Sequence, residues 1–118
     1  MAITIYHNPR CSKSRKTLEI INAAGVEPTV ALYLKDSPDA REILSLADKL
    51  GIRVVDLVRR GESTFKDAEE LPDLQDDNAL ADWIAAHPIV LQRPIVVDDE
   101  SGRAVIGRPP ENVLALLP

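Results

Sequence analysis

Four short β-rich runs, set in two pairs at opposite ends of the chain, leave few folds open to it. The first run, Ile3-Thr4-Ile5-Tyr6, ends in the turn formers His7-Asn8-Pro9. Ser12 to Ala24 then reads as a helix: Leu18 and Ile21 share a face, Lys and Arg gather early, and Gly25 follows as a cap. Thr29 to Leu34 is the second run. Near the other end, Pro94-Ile95-Val96-Val97 and Ala104-Val105-Ile106 flank the turn residues 98–102 and read as a β-hairpin. Pro109 and Pro110 open a last helix carrying Val113, Leu114 and Leu117.

Between the pairs the pattern is helical. Ser37-Pro38 has the cap-then-proline form of a helix start, and Ile43, Leu46, Ala47 and Leu50 recur at helical spacing before Gly51. A short helical piece, Val54 to Arg60, precedes an acidic stretch from Glu62 to Asp77 that reads as loop with one helical turn. Leu80, Trp83, Ile84 and His87 follow behind Asp76 and Asp77, and Pro88 stops them. A strand-helix-strand unit followed by a hairpin and a helix predicts an α/β, thioredoxin-like fold. Its mixed four-stranded sheet is flanked by helices, with residues of about 37 to 88 as a helical insertion between the second and third strands. With 118 residues, the chain suits one domain, 1–118. Only 1 Trp, 2 Tyr and 1 Phe are present, so the core must be aliphatic.

The net charge of -5 argues against a nucleic-acid binder, whose affinity comes largely from neutralising phosphates. No apolar run reaches the length of a membrane span, and residues 1–11 carry no signal-peptide pattern. The expectation is a cytoplasmic protein, in the compartment where thiols stay reduced. Without an evident apolar surface stripe, a monomer is expected.

The chain holds 1 cysteine, Cys11, where the first strand and its turn hand over to the first helix. The free N–H groups and positive dipole end of a helix favour an anion there, and for a cysteine they favour the thiolate. Arg10, Lys13, Arg15 and His7 add positive charge nearby. A lone cysteine is more often a small buried hydrophobe, but Asn-Pro-Arg before it and Ser-Lys-Ser-Arg after it do not describe a core position. Ser14 stands where a Cys-x-x-Cys pair would have its second thiol. An internal dithiol cycle is therefore excluded, and any redox cycle must draw its second thiol from outside. Ser12 and Ser14 are equally readable as helix caps.

Arg59 ends the short helical piece, Arg93 precedes Pro94 at a strand start, and Arg108 follows the last strand. Singly, each reads as an ordinary surface arginine. Arg93 and Arg108 are both followed by proline at one edge of the same hairpin, however, and converging guanidinium groups would bind a tetrahedral oxyanion. Pro94 has two readings: a specified cis bond beside an active site, or a trans proline opening a strand. His87 reads as a packing or capping residue, and no second metal ligand stands at a suitable spacing from it.

His7-Asn8-Pro9-Arg10-Cys11-Ser12-Lys13-Ser14-Arg15 with Thr17-Leu18 resembles the active-site segment of the glutaredoxin-coupled arsenate reductases, in their shorter subgroup. The likeness continues through Tyr33-Leu34, Leu57-Val58-Arg59, His87-Pro88-Ile89, Arg93 to Val97 and Gly107-Arg108-Pro109. The resemblance implies that Cys11 attacks arsenate to give a covalent thiol-arsenate adduct. It implies that glutathione and then glutaredoxin act as external reductants, with no bound cofactor or metal. It implies further that Arg59, Arg93 and Arg108 hold the oxyanion, that His7 tunes the thiol with Arg15 beside it, and that Pro94 is cis. Two alternatives stand beside this reading. One is a glutathione-dependent monothiol oxidoreductase with another substrate. The other is a polymerase-binding transcriptional regulator of the same superfamily, a group that commonly carries the Cys-x-x-Cys switch that Ser14 breaks.

Overall fold

Ile3–Tyr6 forms β1, with Ile3 and Ile5 buried and Thr4 and Tyr6 half-exposed, the alternation of a strand that covers a core with one face. The chain then rises through helix α1, Ser12–Ala23, and returns as β2, Thr29–Ala31, parallel to β1 with Ile5 opposite Val30. Parallel neighbours require such a crossover, because a tight turn can join only antiparallel strands. At the far end of the sequence, β3 (Ile95–Asp98) and β4 (Arg103–Ile106) form the hairpin, with Gly102 at φ 75° in its turn. β3 lies antiparallel to β1, Val96 opposite Ile5, giving the sheet order β2-β1-β3-β4. This mixed sheet flanked by helices is the thioredoxin-like arrangement that the order of elements predicts.

The computed structural model describes residues 1–118 and divides into two compact units, one of residues 1–33 with 93–118 and one of residues 34–92. The first unit holds the sheet. Its core joins Ile3 and Ile5 of β1, Ile21 of α1, Val96 of β3, and Val113 and Leu116. At about 25 cal/mol per Å² of apolar surface removed from water, each such side chain contributes roughly 1.5–3 kcal/mol. In the second unit, helix α2 (Ala40–Leu50) packs on α4 (Asp77–Ala86), and a single helical turn, α3, covers Ser63–Lys66. Ile43, Leu46 and Ala47 of α2 and Leu80, Ala81 and Ile84 of α4 are buried. No helix in the chain is long and apolar enough to cross a membrane.

Four local expectations are corrected. The second strand stops at Ala31 rather than Leu34, because β1 ends opposite at Tyr6 and the last bond of the pair runs from the His7 N–H to the Ala31 carbonyl (2.9 Å). Asp39, not Ser37, caps α2: its carboxylate accepts the Glu42 N–H at 2.9 Å, while the Ser37 hydroxyl donates to the Ala85 carbonyl at 2.7 Å. The helical piece after residue 53 is a 3-10 turn, Val54–Leu57, that ends before Arg59, because Val58 is drawn into an extended bridge with Leu91. The last helix is also 3-10, Pro110–Leu116, and its three-residue turn brings Val113 and Leu116 inward while Leu114 stays exposed.

Candidate active site

The loop between β1 and α1 is tied at almost every residue. The Asn8 carbonyl accepts the Cys11 N–H (3.0 Å), and the Asn8 side chain accepts the Arg10 N–H (3.0 Å). The Arg15 guanidinium donates back to the Pro9 carbonyl at 2.8 Å. These bonds leave Cys11 in extended backbone as the cap residue of α1, half-buried, with the first helical bond running from the Arg15 N–H to its carbonyl.

That placement decides the state of the sulfur. Burial alone pushes the thiol up, but the N–H of Ser14, the Arg93 guanidinium and the N–H of Lys13 together outweigh it, and Cys11 sits below the ordinary thiol range. The two N–H groups belong to the orphan donors of a helix start, and Arg93 contributes a charge-assisted hydrogen bond and its full positive charge. A thiolate available at neutral pH is the requirement for nucleophilic attack.

Ser14, in the position of a second redox cysteine, is fully buried. Its Oγ is hydrogen-bonded to His7 Nδ1 at 2.7 Å and accepts the Asn8 N–H at 3.1 Å. It therefore braces the loop from inside the helix rather than capping the helix end. His7 is buried as well, and burial together with the charge of Arg15 holds its imidazole below the usual histidine range. His7, Ser14 and Asn8 form one hydrogen-bonded unit under the loop. The Asn8 and Ser14 parts of it carry no signal in the sequence beyond a turn former and a capping serine.

Arg93 leads into β3 through Pro94, which is buried, and the Arg93–Pro94 peptide bond is cis. The Arg108–Pro109 bond is cis too, and Arg108 donates a long 3.5 Å hydrogen bond to the Arg93 carbonyl, so the two arginines stand together at one edge of the hairpin. Arg59 belongs to the second unit. Its N–H donates to the Val90 carbonyl (2.7 Å), and its guanidinium meets Glu62 at 3.4 Å. His87 donates from Nδ1 to the Trp83 carbonyl (2.8 Å) and stacks on the Trp83 ring at 4.4 Å, a packing and capping role. No three His, Cys, Asp or Glu side chains converge in a group that could hold a metal ion.

Comparison with known proteins bears on this geometry. The ArsC family model matches residues 6–116. An arsenate reductase of Escherichia coli is 43% identical over 116 residues, which cover 98% of this chain and 81% of that one. An uncharacterized protein of E. coli strain K12, YfgD, is 41% identical over 116 residues, 98% of this chain and 96% of that one. Among solved structures, an arsenate reductase from Vibrio cholerae superposes with a TM-score of 0.88 at 41% identity, covering 99% of this chain and 98% of its own. The span from Tyr6 to Leu116 takes in the thiol loop, the cis-proline hairpin and all three arginines, and the chain belongs to the ArsC family.

Proposed function

We propose that the chain is an arsenate reductase whose nucleophile is Cys11. The observation that carries the reading is the sulfur itself, held below the ordinary thiol range at a helix start beside Arg93, in a chain of the ArsC family. The Cys11 thiolate attacks the arsenic of arsenate: a sulfur–arsenic bond forms, an arsenic–oxygen bond breaks, and the oxygen leaves as water after taking up protons. Arg93 and Arg108 hold the oxyanion from the hairpin edge; paired guanidinium donors suit a tetrahedral anion. His7 and Arg15 serve the thiol indirectly, by holding its loop: His7 is hydrogen-bonded to Ser14 and Arg15 donates to the Pro9 carbonyl.

Ser14 offers no second thiol, so the two electrons come from outside. Glutathione and then glutaredoxin supply them and leave as a mixed disulfide. In sum, one arsenate and two thiols give one arsenite, one disulfide and one water, and Cys11 is regenerated. The reaction belongs in the cytoplasm, where thiols are kept reduced.

The test is coupled turnover of arsenate with glutathione and glutaredoxin. Cys11→Ser should abolish it, and Arg93→Ala should weaken it. Undiminished turnover in Cys11→Ser would remove the assignment. Reduction of glutathione mixed disulfides with no turnover of arsenate would replace it with a monothiol oxidoreductase.

A further inference from the structure

Gly107 is buried, yet its φ lies outside the left-handed region that favours glycine. At Gly25, Gly51 and Gly102, where φ is positive, an added Cβ would meet nothing within 4 Å; those positions need glycine for its backbone. Gly107 is the reverse case. A Cβ there would lie 2.6 Å from Thr17 Oγ1, 2.8 Å from Pro94 Cγ and 3.1 Å from Thr17 Cγ2. Two of these separations are closer than non-bonded heavy atoms tolerate, so the position needs glycine for space.

The two walls of that space both lead to the sulfur. Pro94 is joined to Arg93, whose guanidinium favours the Cys11 thiolate, and the Gly107 N–H donates to the Pro94 carbonyl at 2.9 Å. Thr17, fully buried on α1, donates from Oγ1 to the Lys13 carbonyl at 2.8 Å, and the N–H of Lys13 also favours the thiolate. We infer that Gly107 is a positioning residue for the thiol site: its missing side chain lets the Pro94 ring and the Thr17 side chain close around one Cα, which holds the Arg93 segment against the helix that presents Cys11. A methyl group at this point drives Pro94 and α1 apart and loosens Arg93 from the sulfur without touching either.

The inference rests on Cys11 as the working thiol and not on the identity of the oxyanion. The measurement is the pH dependence of iodoacetamide alkylation of Cys11 in the folded chain, with circular dichroism to verify folding. In Gly107→Ala the midpoint should rise toward that of an ordinary thiol, and alkylation at neutral pH should slow severalfold. Adding Thr17→Ala removes the nearest obstacle and leaves the Pro94 contact. The double variant should therefore fall between Thr17→Ala and Gly107→Ala. An unchanged midpoint in Gly107→Ala, or a raised one that Thr17→Ala does not lower, overturns the inference. If Gly107→Ala alone does not fold, the double variant decides: its midpoint must exceed that of Thr17→Ala, and equality overturns the idea. Alkylation reads the sulfur whichever oxyanion the enzyme accepts, so failure here is distinct from failure of the arsenate assay.

Discussion

Ser14→Ala isolates one buried oxygen whose partners are both known. The hydroxyl serves the Asn8 N–H at 3.1 Å and the His7 imidazole at 2.7 Å, and all three residues are buried. Alanine nearly matches the volume of serine, so the change removes hydrogen bonds while leaving the packing close to native. Each buried group left without its partner costs about 1–3 kcal/mol, and allowing for partial relaxation of the loop the sum is roughly 2–4 kcal/mol. A domain of this kind is stable by about 5–15 kcal/mol, so the variant should still fold. Urea unfolding followed by circular dichroism gives the loss directly, provided the slope with denaturant is unchanged. Ser12→Ala is the internal control: Ser12 is exposed in the first turn of the same helix, and the change should fall within about 0.5 kcal/mol of wild type. A Ser14→Ala loss no larger than that of Ser12→Ala would show that water replaces the hydroxyl and that the loop is not braced from within.

Arg93→Ala should raise the alkylation midpoint of Cys11, since Arg93 supplies both a hydrogen bond and a charge that favour the thiolate; an unmoved midpoint would separate the arginine from the sulfur. His7 titrates below the ordinary histidine value in the folded state, so the unfolded chain takes up its proton first as the solution is acidified. Stability from this group is therefore complete above about pH 6.5 and is lost as pH falls through the folded value. His7→Gln should flatten that slope in urea titrations run across the window, and an identical slope would assign it to other groups. Asp39→Ala removes the cap of α2 and should cost about 1 kcal/mol by urea unfolding. Ser37→Ala should leave the helical signal of α2 in place; if instead it frays the helix and Asp39→Ala does not, the cap has been assigned to the wrong residue.

The elements were legible wherever a pattern repeats. Ile43, Leu46 and Ala47 recur at helical spacing and are the buried face of α2, and the alternation of Ile3 and Ile5 is that of a strand with one covered side. Ends were harder to read, because an end is set by a partner elsewhere in the chain. β2 stops where β1 stops, and Val58 leaves its 3-10 turn because Leu91, 33 residues on, takes it up. The position of Cys11 at a helix start was readable from the turn and the helix around it. The roles of Ser14 and Gly107 were not. A serine near a helix start reads as a cap and a glycine after a strand reads as a turn until the neighbours that fill the space around them are known.

By itself the sequence determined the chemistry this protein is limited to: one thiol, no internal partner for it, and a helix start to lower its titration. Those are properties of residue type and of neighbours a few positions away. Tertiary structure decided which positive charge acts on the thiol. Arg93 is 82 residues from Cys11 along the chain, and β3 lying beside β1 brings it to the site. A hydrogen bond depends on separation in space, and only the paired strands determine that separation.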